Sequence, residues 1–345
     1  MMARGKMKKW IWSLSIAAVI LIIGAFLLGR FVFPNRAPSS LPKPELSEGQ
    51  RGEFGIDKNI NESTIDDYLG REDAVYIDLR MLKDPGNYEA IGGDAYLSGF
   101  IREFEVVPLP YIVNVTGLPE AVGKTYVGPT LFTFDGEKYI PNYRESFDIL
   151  ENLFPKNKIL FLMCGGGGYA GMMKKMLIAL GWDENKIYNV GGYWFYEGDN
   201  KVEVKRVLAD GTVQYDFYKV PYHDIDLSEL TKVKPGELID LSAVEFEKMS
   251  AEGRSFLVFV DQTGCATAEN LKVFLRDFLK SRGLFGYRMM FSKVKETSLG
   301  EVVKYYPSVA IIKNGEIVAH LRADEEEDAD KYNNYDAFLN FMNNF

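Results

Sequence analysis

Cys164 stands where an apolar run meets four glycines. The stretch Ile159-Leu-Phe-Leu-Met-Cys164 reads as a buried strand, and Gly165, Gly166, Gly167 and Gly168 follow it directly. Beyond Tyr169, the residues Ala170, Met173, Leu177 and Leu180 recur at helical spacing, with Lys174 and Lys175 on the opposite side. The thiol is therefore placed at a helix N-terminus, where unpaired N–H groups and the helix dipole favour negative charge. That setting is expected to lower a thiol pKa and to hold a thiolate or a bound anion. The four glycines let the loop curl so that its N–H groups converge on one point.

Neighbouring patterns narrow this chemistry. Gly166-x-Gly168-x-x-Gly171 fits a dinucleotide fingerprint, but no acidic residue ends the next apolar run, Lys186-Ile-Tyr-Asn-Val190, where a ribose partner would stand. A Cys-x5-Arg phosphate clamp needs arginine at position 170, which is Ala170. Gly117 to Thr125 reads Gly-x5-Gly-Lys-Thr, one residue too long for a P-loop, and Gly128-Pro129 would break the helix that must follow. His223 and His320 are the only histidines, too few for a zinc cluster. No cofactor is expected.

The second cysteine lies in a second strand-to-helix passage. Ser255-Phe-Leu-Val-Phe-Val260 reads as a buried strand and Asp261-Gln-Thr-Gly-Cys265 as the loop beyond it. The following helix puts Leu271, Phe274, Leu275 and Phe278 on one face. Upstream, Leu238–Leu241 with Ser242 and Glu245 reads as a short strand and a capped helix. Downstream, Pro307 precedes the apolar run Ser308–Ile312, and Asn314-Gly315 marks a hairpin.

Ala74-Val-Tyr-Ile-Asp78-Leu-Arg80, Ser98-Gly99-Phe-Ile101, the Cys164 loop and Asn189-Val-Gly191-Gly192 occur in an order that resembles the rhodanese (sulfurtransferase) family over about residues 62–200. The resemblance implies that Cys164 carries a persulfide sulfur cradled by the N–H groups of residues 165–169, with Asp78 and Arg80 close to the substrate. Two residues depart from the family pattern: Tyr169 stands where arginine is common, and Phe100 where a Gly-His pair is usual. The first removes the cation that would hold a dianion such as thiosulfate. Residues from about 236 to 345 resemble the thioredoxin family, which implies that Pro307 is a cis proline packed beside Cys265. The family's Cys-x-x-Cys is here Cys265-Ala-Thr-Ala268. Without a second thiol, Cys265 cannot resolve its own mixed disulfide. It either exchanges with a partner thiol or is a relic in a peptide-binding module.

The expected fold class is thus α/β, a rhodanese-like parallel-sheet domain followed by a thioredoxin-like domain, preceded by one transmembrane helix. Residues 1–9 form a basic tail. Trp10 to Gly29 is a run of twenty uncharged residues, long enough to span a bilayer, and the span is drawn as 10–33. Basic residues ahead of it place the N-terminus in the cytoplasm and the body outside. A linker covers 34–60, its first part Pro/Ser-rich and extended. The rhodanese-like region covers 61–200 with an inserted surface element at 112–142 around an Asp135-Gly136 turn, a connecting hairpin and linker cover 201–235, and the thioredoxin-like region covers 236–345. The acidic run Asp324–Asp330 reads as a solvated loop.

The net charge is −9, and the six basic residues before position 37 leave about −15 on the rest, a body that repels nucleic acid. Two cysteines exclude a disulfide framework. The function expected is sulfur transfer or thiol redox chemistry in the cell envelope, with a sulfane-sulfur donor or a thiol as substrate. The alternative is a non-catalytic accessory protein that binds envelope partners through both folds. A further expectation couples the two thiols: Cys265 would resolve a persulfide or sulfenic acid on Cys164, which requires the Cα atoms to approach within about 7 Å.

Overall fold

A computed structural model describes residues 38–80, 99–114, 128–223 and 225–344. The apolar run 10–33 and the Gly117–Thr125 pattern lie outside these residues. Among the described residues no helix is long and apolar enough to cross a membrane.

The first unit is built on β1 (Ala74–Asp78), β2 (Gly99–Ile101), β3 (Glu105–Val106), β4 (Phe132–Phe134), β5 (Tyr139–Pro141), α1 (Ser146–Leu153), β6 (Ile159–Cys164), α2 (Gly168–Ala179), β7 (Ile187–Gly192) and β8 (Lys201–Glu203). Four of these strands form a parallel sheet in the order β3-β1-β6-β7. Both faces are covered, so β6 reads as a continuous apolar run rather than an alternating one. On one face Ala170, Met173 and Leu177 of α2 pack with Leu150 of α1, Leu160 and Leu162. On the other Ile60, Ile65, Phe104, Phe161 and Tyr188 form a second cluster.

Two regions differ from expectation here. Residues 38–60 are not a loose spacer. Ile56 and Ile60 are fully buried, Leu46 bridges Asp57, and Asp57 N–H donates to Asn189 O at 2.8 Å, so this segment is a strap fastened to the unit. Its two isoleucines bury apolar area in a stretch whose first half is rich in proline and serine. The hairpin β4/β5 does turn at Asp135-Gly136, but Leu131 and Phe132 have no exposed surface and join the main core. That element is half core, not a surface insertion.

A ribbon of β9 (Lys205–Val207) and β10 (Val213–Tyr215) turns at Asp210-Gly211, while β8 pairs back onto β2. The second unit comprises β11 (Leu238–Asp240), α3 (Ala243–Ala251), β12 (Phe256–Asp261), α4 (Ala266–Ser281), β13 (Gly286–Met290), β14 (Ser308–Lys313), β15 (Glu316–His320) and α5 (Tyr335–Asn343). Its sheet order is β11-β13-β12-β14-β15, with β11, β13 and β12 parallel and β14 and β15 antiparallel. The Ser242–Glu245 capping box opens α3, and Leu271, Leu275 and Phe278 of α4 are buried. The acidic run is solvated at Asp324, Glu325, Glu326, Glu327 and Asp330, but Asp328 is buried, taking hydrogen bonds from the Arg322 backbone and side chain and from Lys331.

Candidate functional site

Cys164 ends β6, paired in the sheet with Gly192 at the end of β7. Its Sγ accepts a hydrogen bond from Gly167 N–H at 3.0 Å, and the backbone N–H groups of Gly166, Tyr169 and Ala170 also favour negative charge on the sulfur. Gly167 makes this possible: it caps α2 at φ +101°, a left-handed conformation that disfavours L side chains, and a Cβ there would lie 2.8 Å from Ile56. Gly192 has no room either, since a Cβ would sit 1.9 Å from Gly165 O. Gly165 and Gly167 are buried, Gly168 exposed, and Gly166 and Tyr169 half-buried.

The thiol itself is 4% exposed. Burial pushes its pKa up, and the four backbone N–H groups pull against that rise without overcoming it. The depressed pKa expected from the helix end is corrected by this burial. In the closed site Cys164 is a neutral thiol inside a cradle built for its anion.

Asn189, absent from the candidates above, organises the surroundings. Its Nδ2 donates to Gly167 O and to Phe54 O, both at 3.0 Å, and its Oδ1 accepts from Gly191 N–H. One amide thus joins cradle, strap and the Gly191-Gly192 turn. The strap adds Arg51, which pairs with Glu62 and lies over the Phe195 ring at 4.9 Å. Trp194 lies against Gly166 and, like Phe195, remains substantially exposed. The Asn-x-Gly-Gly turn was visible in the sequence; the strap residues carried no local signal.

Asp78 and Arg80 are 0% and 1% exposed and satisfy each other. Arg80 Nε lies 3.0 and 2.9 Å from the two Asp78 oxygens, Nη2 donates to Gly99 O at 2.9 Å, and the guanidinium stacks on Tyr193 at 4.1 Å. Neither side chain reaches solvent, so the pair ties β1 to β2 and to the Tyr193 turn instead of touching a substrate. This corrects their expected place at the substrate.

Cys265 is the N-cap of α4 and half-buried. The Tyr306–Pro307 bond is cis, and the pairing of Val260 with Ser308 sets Pro307 beside the end of β12 from which the Cys265 loop rises. Asp261, also missed in the sequence, is buried at that strand end, 3.3 Å from Lys272 Nζ on α4.

The two thiols do not meet. The second unit touches the first at Glu237, Lys248, Glu252 and Arg254, all near the starts of its strands: Arg144–Glu237 at 2.8 Å, Lys248–Asp148 at 3.2 Å, Lys156–Glu252 O at 2.5 Å and Arg254–Asp148 at 2.5 Å. Cys265 lies past the far end of the six-residue β12, roughly 20 Å from that contact. The expected Cys164–Cys265 exchange is overturned for this arrangement, because a disulfide needs Cα atoms within about 7 Å. Among the described residues no group of three or more His, Cys, Asp or Glu could hold a metal ion.

No protein-family model matches the chain, and no curated protein matches it. Solved structures that align with about a third of it include thioredoxin from Trypanosoma brucei brucei, 11% identical, covering 34% of this chain and 99% of that one with a TM-score of 0.26. Others are a putative oxidoreductase with a thioredoxin fold, 20% identical, covering 31% and 95% with a TM-score of 0.25, and a mutant thioredoxin from Halobacterium salinarum NRC-1, 17% identical, covering 28% and 88% with a TM-score of 0.22. Strand order, the α4 cap and the cis proline together give residues 238–343 a thioredoxin-like fold, set beside a mixed α/β unit with a parallel sheet.

Proposed function

We propose that this chain carries sulfur on Cys164, in a rhodanese-like first unit. The observation that supports the reading is a sulfur at a strand-to-helix passage that accepts a hydrogen bond from Gly167 N–H and whose charged form three further backbone N–H groups favour. Such a cradle has little use for a neutral thiol, whereas a thiolate or persulfide gains charge-assisted hydrogen bonds from it. The Cys164 thiolate attacks the outer sulfur of a donor persulfide R–S–S⁻. An S–S bond forms to Cys164, the donor S–S bond breaks, and R–S⁻ leaves with the electron pair. A nucleophilic thiolate then attacks the Cys164 persulfide at its outer sulfur and restores the Cys164 thiolate. Burial of the thiol calls for loss of its proton as the donor enters.

The cradle loop has no cation, Tyr169 standing where one would serve, so thiosulfate turnover is expected to be weak and Tyr169→Arg to raise it. Uncharged residues 10–29 behind a basic tail favour a body anchored outside the cytoplasm by a span over 10–33. Intact mass after incubation with a persulfide donor tests the reading: one added sulfur, lost in Cys164→Ser, is expected. An unchanged mass, or sulfur retained in Cys164→Ser, overturns it and leaves the non-catalytic partner-binding role, which the exposed Trp194 and Phe195 beside the cradle favour.

A further inference from the structure

Between the two units, behind both cysteine loops, lies a cavity of about 240 Å³. Its walls come from both: Phe147, Glu151 and Trp182 on one side, Arg254, Phe256 and Tyr287 on the other. That volume exceeds the roughly 150 Å³ that admits a benzene ring, and clefts between domains are favoured places for small ligands.

The polar groups on the wall are unevenly used. Arg254 is buried, with Nη2 engaged by Asp148 at 2.5 Å and Glu252 at 2.6 Å, yet its Nε–H has no acceptor. Lys156 Nζ is spent on Glu252 O and lies over the Trp182 ring. The Glu151 carboxylate takes no hydrogen bond from any described residue, and burial pushes its pKa up. The Tyr287 hydroxyl makes none either, and burial pushes it to about 12. Among aromatic rings the wall therefore offers Glu151 as an acceptor, the Tyr287 hydroxyl as a donor and the Asn314 side-chain amide as both, while the Arg254 Nε is enclosed behind the wall. Around the wall the three carboxylates Asp148, Glu151 and Glu252 are balanced by the three cations Lys156, Lys248 and Arg254, so the surroundings favour neither an anion nor a cation.

We propose that this cavity binds a small uncharged aromatic amide or lactam, its N–H received by Glu151 and its carbonyl by the Tyr287 hydroxyl. The site is independent of the chemistry at Cys164. Because both units wall it, an occupant would strengthen their mutual orientation.

Benzamide is the probe, with benzoate and benzylammonium as charged controls of similar shape, followed by saturation-transfer NMR on the full chain in detergent. Benzamide is expected to bind about tenfold more tightly than either control, the worth of one well-placed hydrogen bond. Leu180→Trp, which fills the cavity, should abolish binding with an unchanged circular dichroism spectrum. Should that variant misfold, Glu151→Leu together with Tyr287→Phe removes the polar partners without adding bulk and should give the same loss. The proposal is overturned if benzamide fails to bind at its solubility limit, if a charged control binds as tightly, or if binding survives these substitutions.

Discussion

Cys164 and Cys265 occupy similar topological positions, the first as the last residue of a central strand and the second just beyond one, each ahead of the next helix, but their surroundings differ. The Cys164 loop is four consecutive glycines, so its backbone can fold beneath the sulfur and present N–H groups that favour its anion, and the strap and the Trp194 turn pack against the loop. The Cys265 loop is Gln-Thr-Gly, and its thiol caps α4 in a half-buried position beside a cis proline. A helix end alone exposes a cysteine; a glycine cradle encloses it. Enclosure has opposing effects, since backbone N–H groups favour the anion while loss of water disfavours it, and at Cys164 the second wins.

The comparison is tested most severely by deletion of each thiol. Cys164→Ser is expected to abolish sulfur uptake as read by intact mass, and Cys265→Ser to leave it unchanged; equal losses would show that the two sites work as one. The next effect in size is at the buried pair. Asp78→Asn leaves Arg80 as an uncompensated buried cation, and about 3–5 kcal/mol of stability should be lost in urea unfolding. The half-exposed pair Arg288–Asp240 in the second unit should cost at most about 1 kcal/mol on the same substitution, Asp240→Asn.

Gly167→Ala should destabilise the first unit by roughly 1–3 kcal/mol through its left-handed φ and the Ile56 contact. It should also slow alkylation of Cys164 relative to Cys265, because the displaced N–H no longer supports the thiolate. Gly264→Ala, with φ +81° but open space around it, should cost less.

The smallest effect is in pH dependence. A thiol whose folded pKa is raised holds its proton longer in the folded state, so its contribution to stability is present below the unfolded value of about 8.5 and is lost as pH rises through the folded value. Wild-type stability should therefore fall more steeply above that pH than the stability of Cys164→Ala, and alkylation of Cys164 should reach half its maximal rate above it. Identical stability profiles would show that the thiol is better solvated than its packing implies.

Much of this architecture was legible locally. The apolar run of β6, the spacing of α2, the Ser242 capping box and the Asp135-Gly136, Asp210-Gly211 and Asn314-Gly315 turns depend on residues within a few positions of one another, so pattern and turn chemistry suffice for them. The strap was not legible, because Ile56 and Arg51 acquire their roles from Gly167 and Phe195, more than a hundred residues away. Nor was the burial of Asp78 and Arg80, whose short spacing looks the same whether the pair faces a substrate or the inside of a sheet.

By itself the sequence determined that two thiols stand at two strand-to-helix passages, since periodicity and glycine content are local properties. Only the tertiary structure decided how those thiols are solvated and which way they face. Solvation follows from what packs around the loop: Cys164 joins the core between the sheet and α2, with the strap set against Gly167 and Asn189, and an expected exposed thiolate becomes a buried thiol. Direction follows from which ends of the sheets dock: ion pairs near the strand starts of the second unit hold Cys265 away from the contact. Neither property is encoded within the span of a helix or a strand, because each depends on surfaces brought together from distant parts of the chain.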